Sequence, residues 1–522
     1  MRRLGASARL GRVRRDGISR RSFLRRGGAT AAGATALGGL ALPARAAAQA
    51  DEARGPSALL VVLPLVRADH VNAYEGGSGT DTPNLDELAG QSLRFDHAIP
   101  ECMPSLPVRR TLVTGMRSFP FRDWKRTAGM PAVPGYNPVW DWQPVVTETM
   151  RAGGIKTAYV SDNPALEGPR FPDVERPGGG SDSGSESGIP GEIAAFKRAS
   201  AATERTFRAG IEALGRLSGP ESFFLAIDPF DPVDATEAPP IYVRPGEVEE
   251  EGIGPMDGRL KELSWSSDEE DSLREAYRSH VDLVDDQVGR LMSKVPENVL
   301  VFVLGDIGVA LGDHDYIGRG APTSHRDSYE IPYLIRHPEG TMGGEEVDWW
   351  ASTHDAAPTL LSYMGLTIPG KMWGEDLTAL FDDVDEDDLY NRPYSITASG
   401  SLIMVRDDRW LMVADREQIE RRMYDDDEEV EDDIKRYDNI ASEDTGQLTE
   451  MSLAAVTTAG GTLPEFGPEG AIRPPAERGD DDGDDDGVPN DFDAVDNDEQ
   501  QDGVEREDRL FDGRDPEDRG KR

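Results

Sequence analysis

The sequence predicts an α/β protein in which a mostly parallel sheet is flanked by helices, with a small antiparallel sheet toward the C-terminus. Three observations carry this. Short apolar or β-branched runs alternate with helical patterns, the sequence form of a parallel sheet covered by helices. One long segment has a clear helical stripe. Downstream of both, short strand-like pieces recur without helices between them.

The apolar runs are Ala58 to Leu63, Lys156 to Val160, Phe223 to Ile227 and Asn298 to Leu304, followed by Ile331 to Ile335. Between the third and fourth, Tyr277, Val281, Val284, Val288 and Leu291 recur at three- and four-residue steps, with Asp282, Asp285, Asp286 and Arg290 between them. That spacing makes an amphipathic helix whose apolar face belongs to the core. The Gly-, Ser- and Pro-rich stretch from Gly168 to Gly191 reads as a surface loop. Ser401 to Val405 and Trp410 to Val413 read as strands of the small second sheet.

Before these elements, Ser19-Arg20-Arg21-Ser22-Phe23-Leu24 is a twin-arginine export signature. An Ala/Gly stretch from Gly27 to Leu42 follows it, with small residues around Ala44 to Ala48 and cleavage expected near Ala46 or Ala48. The stretch is too short and glycine-rich to span a bilayer, which takes about 20 apolar residues. The organisation expected is therefore a signal peptide over 1–48, the main α/β domain over 57–385, a small subdomain over 386–445, and a linker with an acidic tail over 446–522. The mature protein is expected outside the cell or at its surface, with no transmembrane segment.

A formal net charge of −43 argues against nucleic acid and anionic membranes as partners. The single cysteine, Cys102, excludes an internal disulfide framework and a cysteine zinc cluster. In open α/β sheets, ligands bind beyond the carboxyl ends of the strands. Those ends carry Pro64, Asp162, Asp228 and Asp306. The three carboxylates would suit a hard cation such as calcium or magnesium; equally, Asp is a common helix cap after a strand.

Arg67-Ala68-Asp69-His70, Thr82-Pro83-Asn84-Leu85-Asp86 and Leu93-Arg94-Phe95 open a series of blocks. Pro107, Arg109, Leu112, Thr114 and Gly115 come next, then Gly305-Asp306-Ile307-Gly308 and Gly312-Asp313-His314. Ile331-Pro332, Ile335-Arg336-His337-Pro338, Asp355, Ala357-Pro358-Thr359-Leu360-Leu361 and Met423-Tyr424-Asp425 complete it. In this order, over about Ser57 to Glu443, the blocks resemble the sulfatase family of the alkaline-phosphatase-like superfamily.

The resemblance implies hydrolysis of sulfate or phosphate esters by a calcium- or magnesium-held nucleophile, with a cation for the anion. In the family the nucleophile is made from Cys, or sometimes Ser, in a Cys-x-Pro-x-Arg context. Alignment on Arg109 and Gly115 places Ser105 there, in Ser105-Leu106-Pro107-Val108-Arg109. Cys102 is the rival, but Leu106 stands where it would need Arg. Ser105 would be converted or would act directly as a hydroxyl nucleophile, and Arg109 would hold the anion.

The metal positions depart from the family. Pro64 and Leu65 stand where it carries Asp, Ile307 replaces the partner of Asp306, and Val233 replaces a His in Asp231-Pro232-Val233. The family Lys after the second strand falls near Asp162. Asp306 is the retained ligand, and a rebuilt site would draw on Asp69, Asp162 and Asp228. A calcium or magnesium ion in the main site is therefore expected to be weak or absent.

In the tail, Asp482, Asp484 and Asp486 before Gly487, with Asp493 in the twelfth position, have the spacing of a calcium loop and resemble a thrombospondin type-3 repeat. A self-repelling acidic tail is the alternative. The sequence thus points to an exported sulfatase-family protein that has lost catalysis and binds an anionic glycan or a protein partner through the inherited pocket. The alternative is an active ester hydrolase using Ser105 with a rebuilt metal site.

Overall fold

The computed structural model describes residues 55–460 apart from 75–79, 126, 132, 179–187, 236–240, 245–259, 314, 320–324, 382–390, 400–401, 408, 415–420 and 426–440. The twin-arginine segment and the acidic tail, with Asp482, Asp484, Asp486 and Asp493, lie outside the described residues.

The strands are β1 (Ser57–Leu63), β2 (Leu93–Ile99), β3 (Lys156–Val160), β4 (Val174–Glu175), β5 (Phe223–Ile227), β6 (Ile241–Val243), β7 (Leu260–Glu262), β8 (Val299–Gly305), β9 (Ala310–Leu311), β10 (Tyr316–Gly318), β11 (Tyr333–Arg336) and β12 (Glu346–Ser352). They are followed by β13 (Ser395–Ser399), β14 (Leu402–Arg406), β15 (Trp410–Ala414) and β16 (Arg421–Asp425). The α-helices are α1 (Pro83–Ala89), α2 (Ser105–Thr114), α3 (Val146–Ala152), α4 (Ile189–Leu217), α5 (Ser267–Met292), α6 (Ala356–Tyr363) and α7 (Thr445–Thr458).

The main sheet has the order β12-β2-β11-β8-β1-β5-β3-β4. β1 runs parallel to both β5 and β8, and β3 runs parallel to β5. Only β11 is antiparallel to its neighbours, β8 and β2. Every residue of β1, β5 and β8 is buried. That explains their continuous apolar runs: helices cover both faces, so neither face alternates with polar residues. β6, β7, β9 and β10 form a smaller sheet of order β7-β6-β10-β9 beside the loop that follows β8.

α5 starts with a capping box in which the Ser266 side chain accepts from the Glu269 backbone. Its buried stripe holds Tyr277, Val281, Val284, Val288 and Leu291, as the periodicity predicts. α2 is buried along its whole length and ends at Gly115, whose φ of 62° closes the helix in left-handed backbone.

The C-terminal sheet is the antiparallel meander β13-β14-β15-β16. α7 packs on it through Met451, Ala454 and Ala455 against Ile403, Val405 and Met412. The boundary expected at 445 thus cuts between this sheet and its own covering helix. The loop expected over Gly168 to Gly191 is also shorter, because α4 begins at Ile189.

Candidate active-site rim

Because β1 lies between β5 and β8, their carboxyl ends bring Pro64, Asp228 and Asp306 to one point of the rim. α2 enters the same point. Ser105 opens this helix and Arg109 follows one turn later, on the same face.

Arg109 fills the centre. Its Nε donates to Asp228 Oδ1 at 3.0 Å, and its Nη1 donates to Asp306 Oδ2 at 2.5 Å. Nη1 also reaches the Ser105 carbonyl at 3.3 Å, and Nη2 donates to the Pro229 carbonyl at 3.0 Å. The Phe230 ring lies 5.2 Å from the guanidinium carbon. None of the three charged side chains is more than 1% exposed.

The remaining carboxylate oxygens are engaged as well. Asp306 Oδ1 accepts from the Leu65 backbone at 2.6 Å and from that of Ile307 at 2.8 Å. Asp228 Oδ2 accepts from the Tyr159 hydroxyl at 3.0 Å and the Ser161 hydroxyl at 3.4 Å. Burial would lower the pKa of Arg109, but Asp306 and Asp228 outweigh it and hold the guanidinium charged. Burial dominates at Asp228 and raises its pKa, against the opposing pull of Arg109 and Tyr159.

These residues do not fit a divalent ion. The oxygens facing the centre already accept from Arg109, and the residues after β1, Pro64 and Leu65, carry no side-chain oxygen. Leu65 is buried with a φ of 57°, and the Pro64 carbonyl accepts from His280 Nε2 at 2.8 Å. Burial lowers the His280 pKa. Among the described residues, no group of three or more His, Cys, Asp or Glu side chains is placed to hold a metal.

The four carboxylates proposed for a rebuilt site therefore separate. Asp228 and Asp306 share Arg109. Asp69 is turned to Arg67, whose Nε reaches Asp69 Oδ1 at 2.8 Å. Asp162 accepts from the Gly178 backbone at 3.3 Å. Arg109, expected to hold an anion, instead spends its charge on two carboxylates of its own chain. Asp231, beside Val233, pairs with Arg198 at 2.7 Å.

Ser105 lines a cavity of about 10 Å³ together with Leu65, Arg109, Pro229, Phe230 and Asp306. That is room for about one water. Its Oγ is buried and has no hydrogen-bond partner among the described residues. Cys102 lies elsewhere, bridged to Ala398 of β13, with its thiol pKa pushed up by burial and by Glu101. That thiol is inert.

Sequence reasoning missed Tyr159, Ser161 and His280. Tyr159 reads as one more apolar strand residue, and His280 falls between Tyr277 and Val281 on the buried face of α5. Only the register of β3 beside β5, and of α5 beneath β1, brings them to the rim.

The family model described as Sulfatase matches residues 190–366. A 2,3-bisphosphoglycerate-independent phosphoglycerate mutase of Natronomonas pharaonis is 38% identical over 105 residues, 20% of each chain. The uncharacterized sulfatase YidJ of Escherichia coli is 33% identical over 103 residues, 19% of this chain and 20% of its own. An arylsulfatase of Clostridium perfringens is 27% identical over 116 residues, 21% of this chain and 24% of its own. The chain spans about a fifth to a quarter of the length of these curated relatives.

Solved structures match over far more of the chain. A phosphonate monoester hydrolase of Agrobacterium radiobacter superposes with a TM-score of 0.55 at 18% identity, over 76% of this chain and 94% of its own. A 2-O GAG sulfatase gives 0.58 at 16%, over 78% and 92%. At these identities the likeness establishes the fold. The mostly parallel sheet flanked by helices, with its small antiparallel sheet, is the arrangement the sequence predicts.

Proposed function

We propose that the chain is a catalytically degenerate relative of the sulfatases, exported by the twin-arginine route, that works by binding. One observation carries this reading. The Arg109 guanidinium stands between Asp228 and Asp306, where the family's chemistry needs a divalent ion and an unspent cation.

Loss of either would cost most of the rate, since both act on charge that develops in the transition state. A cavity with room for about one water admits no sugar ester. The ligand is an anionic glycan or a protein partner that meets the rim from outside. The likeness to an arylsulfatase and to a solved GAG sulfatase makes an anionic glycan the natural first probe. Calcium, where it acts, acts at the tail.

A second reading rests on Ser105. Its unpartnered Oγ borders the cavity beside Arg109 and Asp306, as a hydroxyl nucleophile would. Chromogenic sulfate, phosphate and phosphonate esters, assayed with calcium or magnesium, separate the two. The binding reading expects the full-length protein to match Ser105→Ala at background. Turnover that disappears in Ser105→Ala would establish the hydrolase instead.

A further inference from the structure

The guanidinium of Arg109 is ringed by hard donors. Asp228 Oδ1, Asp306 Oδ2 and the carbonyls of Ser105 and Pro229 all accept from it, at 2.5 to 3.3 Å. Two carboxylates and two carbonyls are the donor types that calcium and magnesium take. Here they close around a cation covalently attached to α2, in a setting where neither carboxylate is exposed.

Two ionised carboxylates facing each other in a dry interior repel. The pair is stable only with a positive charge between them. No other cationic side chain within hydrogen-bonding reach serves Asp228 or Asp306 among the described residues. Arg109 is therefore the counter-charge of this pair among the described residues.

We propose that Arg109 neutralises the Asp228–Asp306 pair as a bound divalent ion would, and that removing its side chain turns the pair into a divalent-cation site. The inference deepens the reading of the chain as catalytically degenerate, but it is tested by stability and ion binding. Neither measurement depends on whether any ester is hydrolysed.

Three properties follow together. The wild-type rim needs no added ion. A shortened residue 109 leaves a cage of net charge −2. That cage accepts either a small divalent ion or a free guanidinium ion, because both present positive charge to the same oxygens.

The experiment compares full-length wild type with Arg109→Ala by thermal unfolding and equilibrium dialysis, with EDTA, calcium, magnesium or dilute guanidinium chloride. Both proteins carry the same acidic tail, so the difference between them reports the rim. Wild type should melt at the same temperature in EDTA as in magnesium. Arg109→Ala should melt several degrees lower in EDTA, recover with divalent ion or guanidinium, and hold one more ion per chain than wild type.

A folded Arg109→Ala that neither cation stabilises would overturn the proposal. So would a wild-type rim ion that disappears in Asp306→Asn. If Arg109→Ala yields no folded protein, the triple variant Arg109→Ala/Asp228→Asn/Asp306→Asn, which removes the repelling charges, should fold without added ion. Its failure to fold would equally overturn the proposal.

Discussion

The Leu65 backbone N–H donates to Asp306 Oδ1 at 2.6 Å, which ties the chain leaving β1 to the end of β8. Leu65 has a φ of 57°, a conformation that costs a non-glycine residue of the order of 1 kcal/mol or more. Asp306 is thus a backbone anchor as well as a partner of Arg109.

Removing the Asp306 carboxylate should therefore be costly. Asp306→Ala leaves the Leu65 and Ile307 N–H groups and half of Arg109 unpaired, and should lose about 3–5 kcal/mol in urea unfolding. Asp306→Asn keeps an oxygen for the backbone and should lose less. A loss in Asp306→Ala below about 1 kcal/mol would show that the anchor is not holding the turn.

Ser105 should behave in the opposite way. A buried hydroxyl without a partner is a liability, so Ser105→Ala should be neutral or stabilising by up to about 1 kcal/mol. A clear destabilisation in thermal melts would mean that the hydroxyl is hydrogen-bonded in solution.

Asp327 should make stability depend on pH. Burial raises its pKa to about 7 despite Arg67, whose Nη1 lies 3.9 Å away, while Asp313 and Asp69 push the same way as burial. The unfolded chain releases this proton near pH 3.9. Between about pH 4 and 7 the folded state thus holds a proton that the unfolded state lacks, and stability falls as pH rises through that window. Asp327→Asn should remove this slope, with a gain over wild type that grows to the order of 4 kcal/mol by pH 8. Urea midpoints at pH 5 and 8 for both proteins check it; parallel curves would refute the assignment.

Gly308 should tolerate no side chain. A Cβ there would lie 2.2 Å from the Asp327 carbonyl and 2.4 Å from the carbonyl carbon of Ser328, both backbone atoms that cannot rotate away. Gly308→Ala should cost at least about 2 kcal/mol and disturb the loop after β8, read as a lowered melting temperature and faster proteolysis.

The parallel core was legible because its strands are apolar on both faces. Lys156–Val160 and Phe223–Ile227 stand where the runs place them, and α5 follows its stripe. α4 was not legible: its 29 residues mix alanines with charges, and its first turn hides in a glycine-rich context. At the rim, residue type alone shows that Pro64 and Leu65 offer no side-chain ligand. The setting of Arg109 was not legible, because it looks like an anion-binding residue until the distances show two carboxylates already on it. Asp69 and Asp162 failed as partners for the same reason: proximity in a motif says nothing of which way a side chain turns.

A cation that arrives as part of the polypeptide is supplied by translation. Its stoichiometry is fixed at one per chain, and dilution cannot wash it out. The positive charge between Asp228 and Asp306 is in place as soon as the chain has folded.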